Sequence, residues 1–432
     1  MQSHRLSLRH NFSWTFIGNG VYAASQWGML VVMAKLGTPE MVGQLTLALA
    51  VTAPIFMLTN LQLGAVQATD ANYDYLFNDY LGLRLIGTSL ALLVIASIVY
   101  VAEYRWETAL LIMIIGLAKA FESISDIFYS LFQQQERMDQ IATSMMLKGL
   151  LSLVLLTIGI VATGSVLGGG LGLVFAWAIV LTAYDLYKGA WIIKTVLPAS
   201  QANNQELKLA TTLQPRWQIK TLLKLMRLAL PLGFVMMLIS LNTNIPRFFI
   251  ERYWSERELG IFSALAAFMM VGNLVIGALG QSATPRLAKH YATGNSSAFR
   301  QLLLKLVGIG AVIGAAAVVV ALIAGPAILT LFYQTEYAER SDVLVWLMVA
   351  AGIGYVGSFL GYGVSATRAY NYLIIPYLII TAIAAGFSQL LIPTYGLVGA
   401  AWALCAASLA SCVMPLCILG LIARRRSHEF CQ

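Results

Sequence analysis

Leu306-Val-Gly-Ile-Gly-Ala-Val-Ile-Gly-Ala-Ala-Ala-Val-Val-Val-Ala-Leu-Ile-Ala-Gly-Pro-Ala-Ile-Leu-Thr-Leu-Phe332 contains no charged residue and no polar face. As an α-helix it would extend about 40 Å at 1.5 Å per residue, longer than a hydrocarbon core of roughly 30 Å. A helix apolar on every side needs an apolar environment on every side. The stretch therefore reads as a transmembrane helix. Similar runs recur along the chain, at about 11–34, 42–66, 81–102, 108–132, 141–163, 168–192, 228–250, 260–284, 304–333, 342–366, 372–393 and 397–422. Short connectors separate most of them. No period-2 alternation recurs, which argues against a β-barrel.

The composition of the whole chain agrees. Of 432 residues, 59% are hydrophobic and 11% charged, against roughly 25% charged in ordinary globular proteins. A soluble fold of this size could not cover its surface with so few charges. Soluble enzyme, secreted scaffold and DNA-binding protein are excluded, and the net charge of +8 must be read against a bilayer. Arg5, Arg9 and His10 precede the first apolar run in the manner of a signal peptide, but the run lacks a small-x-small cleavage site. It is expected to be an uncleaved first span.

With the amino terminus inside, the inner segments hold Arg5, Arg9, Arg84, Arg137, Lys148, Lys188, Lys194, Lys208, Arg216, Lys220, Lys224, Arg227, Arg286, Lys289, Arg300, Lys305, Arg368 and Arg424 to Arg426. The outer connections hold only Lys35, Arg105, Arg252, Arg257 and Arg340. The positive-inside rule then places both termini in the cytoplasm. The four cysteines, Cys405, Cys412, Cys417 and Cys431, form no CxxC pair, and His4, His10, His290 and His428 are scattered. No metal and no cofactor are expected.

Thr38-Pro-Glu-Met-Val-Gly43-Gln-Leu-Thr-Leu-Ala-Leu-Ala50 matches Ser255-Glu-Arg-Glu-Leu-Gly260-Ile-Phe-Ser-Ala-Leu-Ala-Ala267, with the glycines offset by 217 residues. Arg137 and Arg368 each follow the fourth helix of their half. Halves with an even number of helices share one orientation and are related by an axis along the membrane normal. The expected fold is an all-α polytopic membrane protein of about 12 transmembrane helices in two six-helix bundles with that pseudo-two-fold. The expected divisions are residues 1–193, a basic cytoplasmic linker 194–227, and 228–432 with a short cytoplasmic tail. Two such bundles suit alternating access around a central cavity.

Charges within the spans are the candidate functional groups, since each costs about 2.5–3.5 kcal/mol at mid-membrane and so faces a cavity or a partner. Lys119, Glu122, Asp126, Tyr129 and Gln133 fall on one face of the fourth helix. Lys119 and Glu122 can pair along the helix or line a cavity. The seventh helix carries Asn242, Asn244 and Arg247, with Pro231 and Pro246 bracketing an expected break. Arg247 either snorkels to headgroups or offers its planar fork to a phosphate. Asn60 and Gln62, and Asn273 and Gln281, occupy related places in the repeat. Such amides bind sugar hydroxyls or join helices. Gly308, Gly310, Gly314, Gly357 and Gly361 have close-packing spacing and are expected at helix contacts. No GxxxxGK[ST] loop is present, so energy must come from an ion gradient, the membrane potential or removal of product.

Phe121-Glu-Ser-Ile-Ser-Asp-Ile-Phe-Tyr-Ser130, Gln134-Gln-Glu-Arg-Met138, Leu259-Gly-Ile-Phe-Ser263, Ala283-Thr-Pro-Arg-Leu-Ala288 and Ile392-Pro-Thr-Tyr-Gly-Leu-Val-Gly-Ala-Ala401 carry a family resemblance. The chain resembles, over nearly its whole length, the polysaccharide transporters or O-antigen flippases of the multidrug/oligosaccharidyl-lipid/polysaccharide exporter superfamily. That resemblance implies a two-lobed flippase moving an undecaprenyl-pyrophosphate-linked oligosaccharide to the outer leaflet of a bacterial inner membrane. It implies surface polysaccharide assembly (O-antigen, capsule or exopolysaccharide) and no enzymatic step, with polysaccharide polymerase machinery as a partner. Lys119, Arg247, Asn60, Asn242, Asn244 and Gln281 would then bind substrate, and Glu122 and Asp126 would carry a coupling H⁺ or Na⁺. The alternatives are a cation-coupled drug or metabolite antiporter of the same superfamily, which would prefer an anionic cavity, and a membrane polymerase or ligase. The latter typically needs a large outer loop, whereas the outer connections are short.

Overall fold

The computed structural model describes residues 8–70, 74–196, 213–367 and 374–429. Arg5, Lys208, Arg368 and Cys431 lie outside them, as do residues 197–212 of the expected linker; the side chains of Arg9, Lys194 and Arg424 to Arg426 are likewise not described. In chain order the helices are α1 (Leu8–Leu36), α2 (Pro39–Thr59), α3 (Leu63–Thr69), α4 (Phe77–Val101), α5 (Trp106–Gln134), α6 (Met138–Thr163) and α7 (Val166–Val180). A π-helical turn, Leu181–Asp185, joins α7 to α8 (Leu186–Val196). After it come α9 (Ile219–Tyr253), α10 (Glu256–Ala266), α11 (Met269–Ala292), α12 (Ser296–Phe332), α13 (Thr335–Ala338), α14 (Ser341–Ala366) and α15 (Ile374–Glu429). Among the described residues there is no strand.

Among the described residues, nine helical stretches are long and apolar enough to cross a membrane, and the bent pair α10–α11 makes a tenth. The apolar part of α15, Ile374–Ile422, is 49 residues long, more than twice what one crossing needs. It is divided at Gly396, whose φ of 58° lies in the left-handed region, so it supplies two crossings. The 29-residue α1 completes the twelve expected. Its lower hydropathy reflects Asn11, Ser13, Asn19 and Ser25. Asn19 and Ser25 turn inward on the helix, donating to the carbonyls of Thr15 and Val21 at 2.8 and 2.9 Å.

Local chemistry sets the boundaries. Gly164 closes α6 with φ 62°, and the Ser165 hydroxyl then accepts from the Leu167 amide at 3.2 Å to start α7. Ser255 caps α10 by accepting from Glu258 N at 3.2 Å, and Glu256 and Glu258 complement the helix dipole. The helix α9 differs from expectation. It begins at Ile219, so Lys220, Lys224 and Arg227 are helical, and it runs unbroken through Pro231 and Pro246.

The chain forms two compact units, Met1–Gly37 with Gln44–Ser240, and Thr38–Gly43 with Leu241–Gln432. In the first, Leu61, Phe77, Tyr80, Phe128, Phe132, Leu222 and Leu225 form one buried cluster, with the Phe77 and Phe128 rings 5.4 Å apart. The segment entering α9 is pinned to α4: Arg216 N donates to Asn78 O at 3.0 Å, and Asn78 Nδ2 donates to Gln214 O at 2.5 Å. That accounts for the first half of α9 belonging to this unit.

In the second unit, Ile276, Leu287, Tyr355, Phe359 and Leu360 form the corresponding cluster. The two copies of the sequence repeat meet in this unit. A Cβ at Gly43 would strike the Glu256 carbonyl, and one at Gly260 would strike the Pro39 carbonyl. Positions 39 and 256 differ by the same 217 residues as 43 and 260, so the contact is reciprocal. Arg257 flanks it, paired with Glu40 at 3.0 Å and Glu336 at 2.5 Å. Of the glycines expected at helix contacts, Gly310, Gly314 and Gly357 pack against Phe359, Gly352 and Ser411. Gly308 and Gly361 do not: a Cβ at either would meet nothing within 4 Å.

Candidate functional site

In the first unit the polar face of α5 is the spine of a buried charged network. Lys119 Nζ lies 2.6 Å from Glu122 Oε2 and 5.2 Å from the centre of the Trp177 ring of α7. Glu122 Oε1 accepts from the Tyr22 hydroxyl of α1 at 2.9 Å. The Lys119 and Glu122 side chains keep 23% and 20% exposure, so this pair is reachable from one side. Pairing along the helix and lining a cavity are therefore compatible. Asp126, one turn on, interacts electrostatically with Arg84, Lys148, Lys119 and Glu122.

Asn60 joins the network because the chain unwinds beneath it. Between α2 and α3, Leu61 and Gln62 take positive φ values of 54° and 51°. Both lack glycine's freedom, and such backbone is held only where surroundings enforce it. The Asn60 side-chain oxygen accepts from the Ser123 hydroxyl at 2.5 Å. Ser123 in turn accepts from Arg84 Nη1 at 3.4 Å and bonds Thr88 at 3.2 Å. Irregular backbone at membrane depth is tolerated where it is buried in protein or lines a cavity.

A second arm leads from α5 to the π-helical turn. Tyr129 OH and Ser144 Oγ are 2.8 Å apart, and Ser144 donates to Asp185 Oδ1 at 2.6 Å. The wider turn ends on Asp185 and places it, fully buried, against α6; such turns often mark functional sites. Lys148 of α6 sits 5.0 Å from the centre of the Tyr129 ring. Its ammonium is buried with no hydrogen-bonded partner, as is Asp185 Oδ2.

Arg84 and Lys148 correct the sequence reading. Both were counted with the inner-loop cations, yet they are 2% and 1% exposed and lie one to three turns inside α4 and α6. A cation so buried needs compensation, because desolvation of an ion costs several kcal/mol. The network supplies it: Arg84, Lys119 and Lys148 are matched by Glu122, Asp126 and Asp185. Lys148 could have been suspected from its setting, Met145-Met-Leu-Lys-Gly-Leu-Leu151, where no polar neighbour suggests a loop. Asp185, with Lys188 nearby, gave no such signal, because the turn that aims it inward is invisible in the sequence.

The other expected site residues lie elsewhere. Arg247 belongs to the second unit, where Nη1 donates to Asn244 Oδ1 at 2.8 Å, while its Nε is buried without a partner. Asn242 Oδ1 is also buried without a partner, and Asn244 is buried. The three share α9, where Arg247 and Asn244 pair one turn apart. Gln281 of α11 and Asn273 are exposed in that unit.

A family model described as "Polysaccharide biosynthesis protein" matches residues 8–291. The capsular polysaccharide biosynthesis protein CapF of Staphylococcus aureus is 32% identical over 391 residues, 90% of this chain and 94% of that protein. An inward-facing multidrug resistance transporter of the MATE family, in the MOP superfamily, superposes with TM-score 0.66 at 17% identity, covering 96% of this chain and 94% of that one. The lipid II flippase MurJ in an inward closed conformation gives TM-score 0.72 at 14% identity, covering 95% and 87%. At these identities the solved structures speak to the fold alone. That fold is the all-α polytopic fold expected from the repeat and the apolar runs.

Proposed function

Because the chain belongs to the polysaccharide biosynthesis protein family, we propose that it is a flippase for an undecaprenyl-pyrophosphate-linked oligosaccharide. It would carry this lipid from the cytoplasmic to the outer leaflet of a bacterial plasma membrane, by alternating access and without covalent change. The product would feed assembly of a capsule, O-antigen or exopolysaccharide by a polymerase. In this reading both termini are cytoplasmic, and the basic segment that follows residue 193 leads into α9 and joins the two bundles.

The observation that carries the proposal is the placement of cations inside the spans, two of them buried and two half-buried. Arg84, Lys119 and Lys148 lie in one network with Glu122, Asp126 and Asp185, and Arg247 lies on α9 beside the Asn244 amide. A pyrophosphate crossing hydrocarbon needs cations and hydrogen-bond donors that replace its water. Arg247 and Lys119 serve as phosphate ligands, the former through its planar fork. Asn60, Asn242, Asn244 and Gln281 serve the sugar hydroxyls. A drug antiporter that accepts organic cations would gain nothing from these groups.

The same arrangement rationalises coupling. At rest Glu122 occupies Lys119 at 2.6 Å. When a phosphate takes that lysine, Glu122 and Asp126 face an added anion in low dielectric, where like charges repel strongly. Uptake of H⁺ or Na⁺ at either carboxylate removes the repulsion, and its release would accompany release of substrate. Ion and lipid would thus occupy the site together.

Lys119→Ala and Arg247→Ala, tested separately in cells, are expected to abolish surface polysaccharide while the protein remains in the membrane at wild-type amounts. Quantifying polymer and membrane-bound protein in the same cultures checks this. Normal polymer in both variants would overturn the phosphate-binding assignment.

A further inference from the structure

The second unit contains a cavity of about 850 Å³ that the transport reading does not use. Its walls come from the end of α11, the first turns of α12, α14 and the later part of α15. Most of the lining is aliphatic, including Leu303, Val307, Leu360 and Leu419, and at one end stand Ser296 and Arg300. The volume falls within the roughly 300–1,000 Å³ of small-molecule sites. Every long wall helix except α11 passes by itself as a membrane span, and α11 does so with α10. The cavity is therefore walled largely by helices of membrane-spanning length and composition.

Two further observations define the occupant. The space is left open by glycine: Gly420 lines the cavity, and a Cβ there would meet nothing within 4 Å. This glycine is not consumed by helix packing, unlike Gly310 and Gly363, which rest on Phe359 and Leu303. The second observation is charge. From Arg286 to Lys305 the chain carries Arg286, Lys289, Arg300 and Lys305 and no carboxylate. Arg300 is exposed at the polar end of the cavity, and no ion pair holds it among the described residues.

We propose that this cavity is a binding site for an anionic glycerophospholipid of the surrounding bilayer. Its acyl chain lies along Leu303, Leu360 and Leu419 and its phosphate meets Arg300 and the Ser296 hydroxyl. Basic pockets between membrane helices are a recurrent means of holding anionic headgroups. The site lies within one unit and needs no transported lipid, so it stands or falls independently of the flippase assignment.

The test uses the full chain purified in detergent and native mass spectrometry with added phosphatidylglycerol or phosphatidylcholine of identical acyl chains. Wild type is expected to retain phosphatidylglycerol in preference. Arg300→Gln is expected to cut that preference about fivefold, the weight of one basic side chain at an anionic lipid surface. Gly420→Leu, which fills open space, is expected to weaken retention of both lipids. Both variants are expected to melt as wild type does, since one side chain is exposed and the other enters a void. Equal retention of the two lipids by wild type would overturn the proposal. So would unchanged phosphatidylglycerol binding in both variants, or displacement of that lipid by undecaprenyl diphosphate but not by excess cardiolipin.

Discussion

Lys148→Ala is expected to destabilise the first unit by about 3–5 kcal/mol, the usual consequence of removing one partner from a buried ion pair. Lys148 is 1% exposed, and its ammonium faces Tyr129, Glu122, Asp185 and Asp126. Without it Asp185, fully buried and holding one hydrogen bond from Ser144, would keep an uncompensated charge. Asp185→Asn in the same chain should restore much of the loss, because a neutral amide needs no counter-ion. Thermal melting of the two single variants and the double variant measures this coupling directly. Additive losses, or a Lys148→Ala protein that melts like wild type, would show that the two residues do not depend on each other.

Gly43→Val and Gly260→Val are expected to be comparably damaging for a different reason. Each missing side chain points at a backbone carbonyl of the opposing helix, Glu256 in one case and Pro39 in the other. Carbonyls cannot rotate away as a side chain can, so the two helix starts would have to separate. Overpacking typically costs about 1–3 kcal/mol, and more where backbone must move. The reciprocity makes the expectation sharper: the two substitutions should behave alike, and combining them should cost less than their sum, since the first already parts the helices. Expression level and melting temperature of the three proteins provide the check. Opposite or unrelated behaviour would mean that the repeat is a sequence likeness without a shared structural job.

The fold was largely legible in the sequence because a bilayer restricts the available structures so severely. Twelve apolar runs and one repeat at an offset of 217 residues sufficed, and the repeated glycines proved to mark an actual contact. The α5 face was legible too, since Lys119, Glu122 and Asp126 recur at helical spacing and charge is rare elsewhere in the spans. Arg84 and Lys148 were misassigned for a physical reason. Counting cations by their distance from a helix end assumes that long side chains escape to water, whereas both turn inward to carboxylates on neighbouring helices. The partners responsible, Asp185 above all, come from other helices, so no local pattern announces them. Pro231 and Pro246 suggested a break that α9 does not contain. The unwinding instead occurs at Leu61 and Gln62, where nothing in the local sequence requires it.

The central claim is that the protein moves an intact lipid-linked oligosaccharide between leaflets, using cations inside its spans. It is tested most directly in proteoliposomes made with the full chain and a labelled undecaprenyl-pyrophosphate-linked oligosaccharide. The fraction of glycan open to a membrane-impermeant glycosidase is followed over time. Wild-type protein is expected to replenish the exposed pool continuously, with unaltered lipid recovered from the protected leaflet, while Lys119→Ala vesicles stay at the protein-free rate. Exchange no faster than in protein-free vesicles, or recovery of a covalently changed glycan, would contradict the account.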